Sequence, residues 1–315
     1  MAAVAGGSVR DWVQAARLRT LPLAAATAMV GAALAARAMH KAGEPLDNRF
    51  WGTFVGVLLT VWVLQVLSNF ANDYGDAEHG ADGAQRTDRA VASGRIAPQT
   101  MKRAIALTAV KALVLGVATV VWAAWGTMTL VVWLGFVAAG LVSIGAAYRY
   151  TAGRSPYGYR GFGDVAVLAF FGWIGVVGTA VLASGGRFEA AWFLPATFVG
   201  AMGMAVLNLN NMRDLESDAQ AGKQTVAVRL GPARARRYHA ALVVGGWAAL
   251  ALYLGGAAAG GGRGGMWIAL LSLVWVKHVV FVVRTPDGAS LDGELKKVAL
   301  GTAVVALFLL LAQTR

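Results

Sequence analysis

The chain has 315 residues, of which 57% are hydrophobic and only 14% charged, with a formal net charge of +12 and no cysteine. Without cysteine there is neither a disulfide nor a thiolate metal site, and a composition this apolar does not describe a soluble globular domain. The basic excess fits loops beside an anionic membrane face and an anionic substrate, and no nucleic-acid partner is read from it.

Residues 1–20 read as a short cytoplasmic N-terminal segment. Met1 to Gln14 lacks the basic-then-apolar pattern of a removable signal peptide. Residues 21–315 read as one all-α, polytopic domain. Nine mostly apolar runs, long enough to cross ~30 Å of hydrocarbon, fall at 21–36, 50–69, 104–125, 128–148, 164–184, 191–211, 238–256, 266–283 and 298–312. Short glycine hinges such as Gly126-Thr127 and Gly185-Gly186 separate several of them, and 255–265 is a low-complexity glycine-alanine linker. With nine spans, most of the 28 Lys and Arg residues fall on the side of the N-terminus. The opposite side carries only Arg37, Lys41, Arg49, Arg187, Arg263 and Arg315. The positive-inside rule makes the first side cytoplasmic.

Half of the 16 acidic residues lie in two short windows on that same side. The first follows the second span and holds Asp73, Asp76, Glu78, Asp82 and Asp88. If its helix continues past Asn69, then Asn69, Asp73 and Asp76 share one face at spacings of four and three. Carboxylates and an amide on one face suit Mg²⁺ with coordination positions left for phosphate oxygens. Charges drawn into a span cost about 2.5–3.5 kcal/mol, so a cluster at its mouth needs a reason. The second window follows the sixth span and holds Asp214, Glu216 and Asp218 after Asn208, Asn210 and Asn211. Asn211, Asp214 and Asp218 are expected on one helical face, with Glu216 pointing to solvent. Both clusters begin with Asn and lie four spans apart, a weak internal repeat suggesting two similar four-helix halves and a ninth helix.

Beyond the second cluster, Lys223 is within chain reach of a diphosphate held by these acids. Its surroundings, Gly222 to Gly231, lack P-loop spacing. The loop from Tyr148 to Asp164 carries three arginines and four tyrosines. Arg154 and Arg160 there are candidates for bidentate phosphate binding. Asp164 opens a span with Phe170, Phe171 and Trp173, an acid above aromatic faces that attract cations. Lys111, Lys277 and His278 lie within spans, where pairing or snorkelling accounts for them.

These residues resemble the UbiA superfamily of intramembrane aromatic prenyltransferases. Asn72-Asp73-Tyr74-Gly75-Asp76 and Asn211-Met212-Arg213-Asp214 through Asp218, with Lys223 and Thr225, carry the likeness. The branch that acts on 1,4-dihydroxy-2-naphthoate in menaquinone synthesis is the most similar. That narrower likeness rests on Ala15 to Pro22, on Gln65 to Asn69 and on Arg154 to Asp164. The chain departs from the branch at Leu18, where proline is common, and from many superfamily members at Gly80, where an acid is common. The acid instead comes at Asp82. The resemblance implies a UbiA-like helical bundle around a central cavity. It also implies Mg²⁺-dependent transfer of a polyprenyl group from its diphosphate to an aromatic acceptor, with decarboxylation for the naphthoate. Asp73, Asp76, Asp82, Asp214 and Asp218 are the implied metal ligands. Asn69, Asn72, Asn211, Lys223, Arg154, Arg160, Tyr157 and Arg19 are the implied substrate contacts, and Asp164 orients the acceptor or stabilises charge. The enzyme is expected in the cell (inner) membrane among lipid. Another acceptor such as 4-hydroxybenzoate stays open. A membrane phosphotransferase is a further alternative, but its hallmark is not found. A transporter would place polar residues mid-membrane, whereas here they gather at one face.

Overall fold

The computed structural model describes residues 6–80, 89–258, 264–285 and 288–314. It is all-helical among these, apart from one isolated bridge between Gly6 and Ile96. Asp82, Asp88 and Arg86 lie outside the described residues.

The N-terminal segment is itself structured. α1 (Val9–Ala16) starts at a capping box in which Ser8 and Asp11 satisfy each other's backbone N–H. It ends at Arg17, the one non-glycine residue with positive φ among those described (φ 48, ψ 56). That left-handed residue turns the chain into α2 (Leu21–Lys41), with Pro22 in its first turn. Trp12 packs edge-on to Phe70 at 5.5 Å, docking α1 on the next long helix.

α3 (Asn48–Glu78) is capped by Asp47 and runs nine residues beyond the expected end at Asn69. It is followed by α4 (Pro98–Ala124), α5 (Leu130–Arg149), α6 (Gly163–Val167) and α7 (Gly178–Ala183). A π-helical stretch, Leu168–Val177, joins α6 to α7. α8 (Phe193–Arg213), the short α9 (Leu215–Gln220), α10 (Val226–Ala258), α11 (Gly264–Arg284) and α12 (Asp292–Gln313) complete the chain. Eight segments among the described residues are long and apolar enough to span a bilayer, and α11 is the ninth long helix. The chain is a multi-pass membrane protein. Two boundaries differ from expectation. The glycine-alanine linker is helical at both ends, because α10 extends to Ala258 and α11 begins at Gly264. α10 also starts well before residue 238 and is broken at Gly231 (φ 72) ahead of Pro232.

α3 packs along α4, α8 along α10, and α12 along α2. The first two pairings join the second span to the third and the sixth to the seventh, four spans apart. α5 buries no residue, and Leu130 and Val131 are 69% and 80% exposed, as expected of a helix facing lipid. Inside the bundle, small residues let backbones approach. A Cβ on Gly172 would stand 2.7 Å from the Ala196 carbonyl oxygen, and one on Gly200 would stand 3.2 Å from the Leu168 Cα. The π turn that makes this contact needs outside partners for its carbonyls, and the Thr27 hydroxyl donates to the Phe171 oxygen at 3.1 Å.

Candidate active site

The continued helix α3 does bring Asn69, Asp73 and Asp76 to one side, and all three are buried. Asn69 donates to the Ala16 carbonyl at 2.8 Å and to Thr20 at 3.2 Å, tying α3 to the turn after α1. Asp73 accepts the backbone N–H groups of Ala90 and Val91 at 3.1 and 3.3 Å, so its carboxylate folds the chain after the first cluster back onto α3. Asp76 has three side-chain partners. Its Oδ1 accepts from the Tyr159 hydroxyl at 2.8 Å and lies 3.0 Å from Lys223 Nζ, while Oδ2 accepts from Arg89 at 3.2 Å. Asn72 accepts from Thr151 at 2.9 Å. Gly75 makes this junction possible, since a Cβ there would stand 2.4 Å from the Thr151 carbonyl oxygen.

The second cluster is not one continuous helical face. α8 ends at Arg213, and Asp214 (φ −95, ψ 14) sits in the break before α9. Its carbonyl accepts from the Asp218 N–H at 2.8 Å and from the Ser217 hydroxyl at 2.9 Å. The break sends the two acids to different partners. Arg213 forks onto both oxygens of Asp214 at 2.9 and 2.8 Å, and also donates to Asp292 at 2.6 Å. Asp218, buried, lies 3.2 Å from Lys223 Nζ. Glu216 is exposed, as expected, and Asn211 is buried.

Lys223 therefore joins the two clusters, its ammonium lying between Asp76 and Asp218 and 4.8 Å above the Tyr159 ring. Burial pushes the Asp218 carboxyl up to about 6, with Lys223 opposing. Burial alone would lower the Lys223 pKa, but the charges of Asp76 and Asp218 outweigh it and hold the ammonium above the usual lysine value. Two carboxylates converging on one cation make a hard, all-oxygen donor set of the kind Mg²⁺ takes. Among the described residues no three such side chains converge, so oxygens from substrate and water would complete a metal's shell.

Beside the clusters a cavity opens into the bundle. Arg17, Arg19, Asn69, Asn72, Tyr150 and Tyr157 line its polar end. Leu23, Val61, Val167, Phe170, Phe171 and Val206 line the rest. Burial raises the Tyr157 hydroxyl to about 12, and that hydroxyl donates to the Ala146 carbonyl at 3.0 Å. Asp164 is buried and accepts from Tyr238 at 3.0 Å, but it is not part of the cavity wall. Arg154 and Arg160 are exposed and stand apart from this cavity, with Arg160 donating to Ser155. Arg19 reaches both the wall and Asp292, at 3.4 Å. Sequence reasoning gave no site role to Arg17, Arg89, Arg213, Tyr150, Tyr159 or Asp292. Arg213 was legible from its place beside Asp214; the others become neighbours of the site only on folding.

The sequence matches the UbiA prenyltransferase family over residues 24–301. It is 40% identical over 310 residues to the 1,4-dihydroxy-2-naphthoate octaprenyltransferase of Escherichia coli (strain K12), covering 95% of this chain and 94% of that one. The protein of the same name from Mycobacterium tuberculosis (strain ATCC 25618 / H37Rv) is 36% identical over 245 residues, 76% of either chain. Among solved structures, the apo structure of a UbiA homolog from Aeropyrum pernix K1 has a TM-score of 0.66 at 17% identity, covering 93% of this chain and 96% of that one. That likeness speaks for the fold.

Proposed function

The chain belongs to the UbiA prenyltransferase family, and from that premise we propose that it transfers a polyprenyl group from its diphosphate to 1,4-dihydroxy-2-naphthoate, with loss of carbon dioxide. The naphthoate is proposed because the relatives similar over most of the chain are named for it. The observation that carries the site assignment is the meeting of the two acidic clusters at Lys223, beside a cavity that is polar at one end and apolar beyond.

In this reading the diphosphate binds at the acidic end. Asp73, Asp76, Asp214 and Asp218 would hold Mg²⁺, with Asp82 as a further candidate outside the described residues. Bound Mg²⁺ neutralises the diphosphate and makes it a better leaving group. Lys223 and Arg213 are placed to exchange carboxylate partners for phosphate oxygens. Asn69 and Asn72 fix the α3 turn from which the acids project. Tyr150, Tyr157, Phe170 and Phe171 form the walls against which an aromatic ring stacks, next to Arg17 and Arg19 for its carboxylate. The prenyl chain follows the apolar walls into the bundle. As the allylic carbon gains positive charge, the ring faces stabilise it and the apolar walls around it disfavour attacking water. Arg154 and Arg160 keep a proposed role at the loop surface, where an incoming diphosphate would first meet them. Asp164 is placed to fix Tyr238 rather than to touch a ring in the cavity. The basic side of the protein, and with it the site, faces the cytoplasm from the cell (inner) membrane.

The test is turnover by membranes carrying the chain, supplied with Mg²⁺, an allylic polyprenyl diphosphate and 1,4-dihydroxy-2-naphthoate, beside 4-hydroxybenzoate. Prenylated, decarboxylated naphthoate that disappears on chelation supports the reading. Product from 4-hydroxybenzoate alone would reassign the acceptor, and failure to bind diphosphate would sink the reading.

A further inference from the structure

Outside the candidate site, a buried group of titratable side chains lies in the last three long helices. His239 on α10, His278 on α11 and Glu294 on α12 are 0%, 6% and 4% exposed. The two imidazoles meet Nε2 to Nε2 at 2.8 Å, and His278 Nδ1 lies 2.5 Å from Glu294 Oε2. Lys297 donates to the other carboxylate oxygen at 2.5 Å, and Trp275 packs edge-on to His278. Ionisable groups are costly in spanning helices unless they pair, and a chain of contacts across three helices fixes their relative depth.

Glu294 shares the first turn of α12 with Asp292, which makes a different set of contacts. Asp292 accepts from Arg213 at 2.6 Å and lies 3.4 Å from Arg19. Arg213 is the residue that forks onto Asp214, and Leu295, next to Glu294, lines the cavity. One helical turn thus touches the histidine clamp through one acid and the second acidic cluster through the other.

The geometry points to the first turn of α12 as a positioning element for the second acidic cluster: His278 and His239 seat Glu294, and Asp292 on the same turn holds Arg213 against Asp214. This rests on the diphosphate-binding reading above. Neither acid contacts substrate in this assignment. Their loss weakens the hold on diphosphate and metal far more than the hold on the acceptor, because the 3.4 Å contact of Asp292 with Arg19 at the cavity wall is exposed and contributes little.

The test compares the purified full chain with Glu294→Gln, Asp292→Asn and the double variant. Each single change is expected to raise KM for the polyprenyl diphosphate, and the half-saturating Mg²⁺ concentration, about tenfold, as loss of a residue supporting a metal ligand does. KM for the naphthoate should stay within about twofold, and the double variant should lose about tenfold rather than about a hundredfold, because both changes act through Arg213. His278→Asn, made on a different helix, should give the same split. Additive losses, equal rises in both KM values, or an unchanged KM for diphosphate would overturn the assignment. Titration of the same proteins with inorganic diphosphate in Mg²⁺ separates this idea from the reaction. Diphosphate binding without prenyl transfer by the unaltered chain defeats the proposed function, yet the cycle still decides the positioning role. No diphosphate binding at all overturns both.

Discussion

The two acidic clusters are built from the same residue types at the same end of the bundle, yet the fold organises them differently. In the first, Asp73 and Asp76 lie on an unbroken helix and are buried, with the chain returning over them at Arg89 to Val91. Asp73 is held by backbone N–H groups, and Asp76 by Arg89, Tyr159 and Lys223. The second straddles a helix break, where Asp214 answers to Arg213 while Asp218 turns to Lys223. Asp73 and Asp76 also hold the fold together, through the returning backbone and Arg89. Asp214 is held by its neighbour Arg213, which Asp292 of α12 engages in turn.

That contrast sets an order of effects. Asp76→Asn should be the most severe. It removes the charge answering Arg89 and Lys223, and breaking a buried ion pair costs about 3–5 kcal/mol, so both the unfolding midpoint in detergent and turnover should collapse. Asp214→Asn should spare the midpoint and lower kcat/KM about 10- to 100-fold, the loss expected where a metal's ligand environment is altered. Equal stability losses in the two variants would erase the contrast. Lys223→Met should raise KM for diphosphate more than it lowers kcat. It should also loosen both clusters at once, so its effect should not add to that of Asp218→Asn when the two are combined. Gly75→Ala acts on the first cluster alone. Forcing a methyl against the Thr151 carbonyl should cost about 1–3 kcal/mol of stability, with the second cluster's metal response unchanged. The smallest effect is expected for Arg160→Ala. Its exposed side chain stands outside the cavity, and steady-state kinetics should change less than about threefold, because exposed pairs contribute only about 0–1 kcal/mol.

The relation between the clusters was partly legible beforehand. Scarce carboxylates gathered at one side of a chain of apolar runs, and counting spans placed both clusters on the same face. The helical spacing of Asn69, Asp73 and Asp76 gave their common face, and α3 does continue through them. The same spacing argument failed at Asp214, because a helix break costs little where a serine hydroxyl and a backbone N–H take up the freed carbonyl. Arg154 and Arg160 were read as phosphate forks from their loop; the structure places them exposed at its surface, and it also brings Arg17, Arg89 and Arg213 close to the acids. The N-terminal segment was read only as a short cytoplasmic stretch, although its Ser8–Asp11 capping box was readable and does start a helix.

By itself, the sequence determined the membrane-spanning, all-helical class, the count of long helices, the shared side of the acids and, through its motifs, the family. These follow from local properties: apolar length, charge placement and spacing along one helix. Only the tertiary structure decided which cation answers which acid, that Lys223 joins the clusters, and that α12 reaches back to the second of them. The reason is physical. A basic side chain is long and flexible, and its partner is set by whichever carboxylate the packed helices bring within about 4 Å, a proximity between residues such as Arg213 and Asp292 that no spacing along the chain encodes.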